Sequence, residues 1–315
     1  MISCHDRFMR AVIFVLLAAV LFGTTGTAQA LGAPGVEPLS LGSARIVVGG
    51  TALALVAFVL TPRARWTSGV RSEGWRGTMV SVLVGAAGVV AYQPAFFLGT
   101  ERNGVAIGTV VALGSAPIAT GLLGWMVWRR FPGWRWCIAT AVGVLGLILL
   151  ASAGASSGGV AGADVLGLVG SLGAGVSYAI YAVMSKRLLT AGWGSASAMA
   201  AVFGTAALVS LAFLVLTDTG WLTTAAGSLT VLWLGLVTVC VAYLLFAAGL
   251  RSLSAASVST LTLAEPLTAA ILGLVVLGET LSLPSWIGLA AIALGILILA
   301  TTPRRSAAVA GAPAS

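Results

Sequence analysis

Glu265 is the residue of this chain with the clearest capacity for chemistry. It sits in the stretch 255–279, AASVSTLTLAEPLTAAILGLVVLGE, which holds no other charge between Arg251 and Glu279. A helix of that length crosses a bilayer core of about 30 Å. Glu265 then lies roughly 15 Å from either end, at about 1.5 Å per residue. An acid at that depth costs about 2.5 to 3.5 kcal/mol on insertion scales, so it must face protein or water rather than lipid. There it can exchange a proton or hold a cation. Its structural alternative is an acid kept neutral, or bonded to a neighbouring helix. Pro266 follows directly, removes a backbone donor and predicts a helix break.

Other polar side chains punctuate the apolar runs. Thr24 and Thr25 interrupt the first, followed by Gln29, and Tyr92, Gln93 and Pro94 interrupt the third. Ser115 precedes Pro117 in the fourth, Ser177, Tyr178 and Tyr181 lie in the sixth, Tyr243 in the eighth, and Ser259 and Thr262 in the ninth. Together they form a candidate solute path, with Pro94, Pro117 and Pro266 as helix-break positions. Each has a plainer reading. Membrane Ser and Thr often bond a carbonyl of the preceding turn, which suits Thr24, Ser115 and Ser259. Tyr178 and Tyr181, three apart, share a helix face suited to a cavity wall or an interhelical bond. Gly167, Gly170 and Gly173, and the Gly104/Gly108 pair, read as close helix packing.

Enzyme chemistry finds no support. The chain lacks HExxH, GxxxxGK[ST] and DDxxD, and no Ser or Cys has a His to activate it. Cys4, Cys137 and Cys240 are far apart and His5 is the one histidine, so neither a metal centre nor a disulfide framework is expected, and no cofactor. Charged residues make up 8% and hydrophobic ones 59%, against about 25% charged in a soluble domain. With a mean hydropathy of +1.09, this is a polytopic membrane protein. The net charge of +8 does not indicate nucleic acid, because the basic residues lie in short loops between apolar runs.

Ten runs can be counted, at about 11–31, 43–61, 78–99, 104–128, 134–151, 165–184, 196–217, 229–250, 255–277 and 285–302. The positive-inside rule orients them. From an inside start, Arg7, Arg10, Arg63, Arg65, Arg71, Arg76, Arg129, Arg130, Arg135, Lys186, Arg187, Arg251, Arg304 and Arg305 fall inside, and only Arg45 and Arg102 outside. Glu37, Glu101, Asp164, Asp218 and Glu279 also fall outside. Both termini are thus expected in the cytoplasm. Trp66, Trp75, Trp128, Trp134, Trp136, Trp221 and Trp286 lie near predicted span ends, as an interfacial belt requires. One ambiguity attends the start: Arg7, Arg10, the run 11–22 and Ala28-Gln29-Ala30 imitate a cleavable signal peptide. A retained first span is adopted because the repeat described next needs it.

Laying 117–151 on 266–300 without gaps makes ten of thirty-five positions identical, among them Pro117/Pro266, Gly124/Gly273 and Gly146/Gly295. Arg129-Arg130 in the first copy becomes Gly278-Glu279 in the second, so equivalent loops carry opposite topology signals. Two five-span units must then enter the membrane in opposite directions, as in many secondary transporters. The expected architecture is an all-α membrane protein of ten transmembrane helices in two inverted-topology five-helix repeats. Its parts are a cytoplasmic N-terminus (1–10), a first repeat (11–151), an external Gly/Ser/Ala-rich linker (152–164), a second repeat (165–302) and a disordered cytoplasmic tail (303–315).

A first span ending in FGTTGTAQALG, and AYLLFAAGLRSLSAASVSTLTLAEP running into ILGLVVLGE, resemble the EamA family of the drug/metabolite transporter superfamily, over about 11–302. The resemblance implies a carrier in the cytoplasmic membrane that exports, or occasionally imports, small metabolites, amino acids or drugs. It implies a central cavity between spans 1, 3, 4, 6, 8 and 9, the family's Glu-Pro signature at Glu265-Pro266, and its outer acid at Glu279. The first half departs at the equivalent site with Ser115-Ala116-Pro117, which puts any paired-acid mechanism in doubt. Expected partners are a small zwitterionic or weakly cationic solute, protons if Glu265 couples, and membrane lipid. Coupled export, uncoupled facilitation and a non-transporting scaffold or sensor remain alternatives, as do monomer and homodimer.

Overall fold

The computed structural model describes residues 4–60, 74–152, 164–278 and 280–301. These residues form an all-α bundle with nine helices long and apolar enough to cross a membrane. They are α1 (Cys4–Gly32), α2 (Pro38–Leu60), α3 (Trp75–Trp128), α4 (Trp134–Ser152), α5 (Val165–Thr190), α6 (Ser195–Val215), α7 (Ala225–Ser252), α8 (Ala255–Val276) and α9 (Leu283–Ala300). Glu279, Trp66, most of the 62–77 and 152–164 connections and the 303–315 tail lie outside the described residues.

Nine helices stand where the sequence predicts ten runs, and the difference lies in α3. Its backbone leaves the helical region at Gly104, at φ 77 and ψ 158, a conformation essentially confined to glycine. A Cβ on Gly108 would stand 2.7 Å from Thr100 Cα, whereas eight residues of straight helix span about 12 Å. The chain therefore reverses at one glycine. It gives two arms, α3a (75–103) and α3b (105–128), which correspond to the third and fourth predicted runs.

The predicted interruptions fare unevenly. Pro94 and Pro117 lie inside the arms without ending them; in hydrocarbon, forgoing one backbone bond is cheaper than opening a turn. Thr24 and Thr25 do not interrupt α1, because Thr24 Oγ1 donates to Leu21 O at 2.7 Å and is satisfied within its own turn. Pro266 does sit beside a break. Lacking an N–H, it leaves Thr262 O without its i+4 donor, and Glu265 N donates to that carbonyl instead at 2.9 Å. Thr262 and Leu263 thus part α8 into helices Ala255–Leu261 and Ala264–Val276.

Glycines set the helix spacing, as expected where lipid offers no hydrophobic drive between helices. Gly88 and Gly99 on α3a face Gly170, Ser171 and Ser177 on α5, in antiparallel order. On α4 and α9 the contacts are reciprocal. Gly146 faces Gly288 and Ile292, while Gly295 faces Ala139 and Gly143.

At the end where α1 meets α2, hydrogen bonds hold distant segments together. Ser40 Oγ donates to Asp218 O at 2.7 Å and accepts from Trp221 Nε1 at 2.9 Å. Asn103 Nδ2 donates to Asp164 O at 3.1 Å, and Arg102 pairs with the Asp164 carboxylate at 3.3 Å. At the opposite end Trp136 Nε1 donates to Ala256 O at 3.1 Å. Trp221 and Trp136 are therefore tethers between segments, whereas Trp75, Trp134 and Trp286 remain exposed near helix starts as a belt would have them.

Candidate functional site

All four tyrosines of the chain, Tyr92, Tyr178, Tyr181 and Tyr243, converge on one cavity. Its space for water is about 70 Å³, enough for a few molecules. Tyr178 and Tyr181 meet edge to face at 4.9 Å, and Tyr243 lies 5.9 Å from Tyr181 and 4.1 Å from Phe203. Phe22 on α1 completes that wall, 5.0 Å from Tyr243. Aromatic faces of this kind offer apolar area and π contact to a cation.

The parted stretch of α8 forms another part of the lining. Ser259, Thr262, Glu265 and Pro266 all line the cavity. Thr262 Oγ1 donates to Ser259 O at 2.8 Å, and its hydroxyl is 3.0 Å from the Tyr178 hydroxyl. That bond ties the break in α8 to the aromatic wall on α5. Gly23 brings α1 against the same turn, since a Cβ there would stand 2.7 Å from Glu265 O. The carboxylate of Glu265 has no hydrogen bond or ion pair among the described residues and is left to face the cavity.

Of the other sequence candidates, Thr25 and Gln93 line the cavity, with the Gln93 amide lying over Gly42 of α2. Thr24, Gln29, Ser115, Ser177, Pro94 and Pro117 do not. Thr24 accepts from Trp233 Nε1 at 3.0 Å, and Ser115 Oγ donates back to Ala112 O at 3.2 Å. Ser177 is buried against Gly88.

Arg45 is the cavity residue that the sequence candidates omit. Charge counting puts it on the external side, at the start of the 43–61 run, yet α2 begins earlier, at Pro38, and Arg45 lines the cavity with Glu265. Its Nε is buried without a hydrogen-bond partner among the described residues, as is Ser259 Oγ on α8. Thr238 also lines the cavity, from a π-helical stretch of α7 at Trp233–Val241. Such stretches often accompany functional sites, but the apolar sequence WLGLVTVCV gives no sign of it.

A second cavity, of about 720 Å³, lies toward the end that holds the α3–α4 connection. Phe8, Trp128, Trp136 and Leu261 line it, together with Arg130, Arg135 and Lys186. It shares α3b and α8 with the aromatic cavity: Leu261 faces one and Thr262 the other.

A helical bundle with many lipid-grade spans around a small cavity of aromatic, apolar and a few polar side chains is the build of a membrane transporter. The chain belongs to the EamA-like transporter family of the drug/metabolite transporter superfamily, whose model matches residues 9–152 and again 165–301. It is a multi-pass membrane transporter, not an enzyme. The transporter YwfM of Bacillus subtilis is 39% identical over 293 residues, covering 93% of this chain and 94% of that one. The inner membrane transporter YicL of Salmonella typhimurium is 24% identical, over 96% and 98% of the two chains. A crystal structure at 20% identity superposes with a TM-score of 0.72 over 91% of this chain and 95% of its own, so the fold is shared.

Proposed function

We propose that this chain is a secondary transporter of the cytoplasmic membrane that exports small zwitterionic or weakly cationic solutes by alternating access, with Glu265 exchanging a proton for substrate. Candidate solutes are metabolites, amino acids and drugs. The observation that carries the reading is the convergence of an unpaired carboxylate and every tyrosine of the chain on one central cavity. Two matches to one family model, and the reciprocal α4–α9 contacts, support two five-span repeats of inverted topology. Counting α3a and α3b separately gives ten spans, and the distribution of basic residues favours cytoplasmic termini. In that orientation the tethers at Ser40, Asp218 and Trp221 close the external end, and the basic second cavity is a cytoplasmic vestibule. YicL, by its name an inner membrane transporter, favours the same membrane.

The test is uptake and efflux of a labelled amino-acid panel in proteoliposomes, with and without a pH gradient, comparing wild type with Glu265→Gln. Gradient-driven accumulation lost in the variant is the expected result. Gradient-independent flux, equal in both proteins, overturns coupling. One observation favours that second reading, uncoupled facilitation: Arg45 shares the cavity and balances the Glu265 charge without a bound proton.

A further inference from the structure

We propose that Arg45 is the carboxylate-binding residue of the aromatic cavity, and that Arg45 and Glu265 together select α-amino acid zwitterions over solutes carrying a single charge. The inference rests on the transporter reading and names the substrate class of that site. Arg45 and Glu265 line one cavity from different helices, α2 and α8. No ion pair of 4.0 Å or less joins them. Opposite charges inside a membrane protein normally pair with one another or with backbone carbonyls. Here neither has a side-chain hydrogen bond or an ion pair of 4.0 Å or less among the described residues, and Arg45 Nε is buried in that condition.

A ligand with one charge satisfies only half of this arrangement. An amine on Glu265 leaves the guanidinium bare, and a carboxylate on Arg45 leaves the acid bare; an uncompensated buried charge is what such sites penalise most. A zwitterion satisfies both at once. The guanidinium presents a planar fork that matches a carboxylate in two parallel bonds, which a lysine in its place would not. Ser259 Oγ, also buried without a partner on the cavity wall, adds a hydroxyl for the same polar head. The tyrosines are left to receive the side chain.

The experiment measures counterflow of labelled leucine, phenylalanine and threonine in proteoliposomes of the full chain, with the matching decarboxylated amines and deaminated acids as competitors. The wild type is expected to exchange at least one amino acid, with its amine and its acid competing at least tenfold more weakly. Arg45→Gln lowers amino-acid counterflow at least tenfold and moves the preference toward the amine; Glu265→Gln moves it toward the acid. The competitor order in the wild type decides the question even where a variant fails to fold. Amines that compete as well as amino acids overturn the proposal, as does an Arg45→Gln protein that loses both alike. Exchange of amines without any amino acid overturns it while leaving the carrier standing. Absence of counterflow for these probes, and for a wider panel of cations and neutral solutes, removes both.

Discussion

Gly88 is where the spacing of two helices and the shape of the cavity are the same quantity. A Cβ built there stands 2.7 Å from Ser177 O, 3.1 Å from Tyr181 N and 3.2 Å from Ile180 Cγ2, and ordinary contact begins at 3.4 Å. Gly88→Ala therefore forces α3a and α5 apart by about 0.7 Å against backbone, which a rotamer change cannot relieve. Overpacking of this kind costs about 1 to 3 kcal/mol, or a thermal midpoint lower by about 3 to 10 °C. Because α5 carries Tyr178 and Tyr181, the same displacement moves one wall of the cavity, and transport falls with stability. Gly173→Ala is the internal control, on the same helix pair. Its Cβ would meet Ala95 Cβ at 3.7 Å, an ordinary contact, so the midpoint stays level or rises. The assay is thermal unfolding of both purified proteins, followed by proteoliposome flux. A Gly88→Ala midpoint equal to wild type, or an equal loss in Gly173→Ala, refutes the reasoning.

Three further outcomes are expected. Gly104→Ala places a Cβ where φ is 77 and ψ is 158; the strain, about 1 to 3 kcal/mol, lowers the unfolding midpoint, and an unchanged midpoint contradicts a reversal at that residue. Asp164 accepts from the backbone N–H groups of Gly167 and Leu166 and faces Arg102, and these hold its carboxyl below the ordinary range. A depressed folded pKa gives stability that is present above the unfolded value and lost as pH falls through the folded one. The midpoint gap between wild type and Asp164→Asn should then be full near pH 7 and close on acidification; a pH-independent gap assigns the residue no electrostatic role. Tyr178→Phe, Thr262→Val and the double variant should show a coupling of about 0.5 to 1.5 kcal/mol through their shared hydroxyl contact, and additive losses would remove that bond from the account.

The spans were legible because hydrocarbon permits only helices whose apolar lengths match its thickness. The break beside Pro266 was legible too, since a missing N–H acts at a fixed offset whatever surrounds it. Arg45 was not. A basic residue shortly after a helix start looks the same in sequence whether it lies in a loop or points inward, and charge counting registers side rather than depth. Ser115 bonds the preceding turn, as its plainer reading has it, and neither it nor Ser177 lines the cavity: whether a hydroxyl meets a cavity depends on the rotation of its helix about its own axis. That rotation is fixed by contacts such as Ser177 against Gly88, which one helix's sequence does not contain. The prolines at 94 and 117 were misjudged because a proline's effect depends on whether solvent is there to receive the freed carbonyl.

The internal sequence match pairs segments across the cavity without pairing their charges. The shift of 149 residues that lays Pro117 on Pro266 also lays Gly146 on Gly295, Ala139 on Gly288 and Gly143 on Ile292. Gly146 touches Gly288 and Ile292, and Gly295 touches their counterparts Ala139 and Gly143. A contact repeated with its partners exchanged is what a two-fold axis produces. The increasing order along α4 against decreasing order along α9 makes the two helices antiparallel. The same shift lays Leu113 on Thr262 and Ala116 on Glu265, and all four line the cavity. The backbone there is thus paired while the chemistry is not: an alanine stands where a second acid would complete a symmetric pair. The cavity's opposite charge is Arg45, which lies outside the paired segments. Under the alternating access proposed above, a cavity with one anion, one cation and apolar counterparts leaves a bound solute little choice of orientation while the two halves move around it.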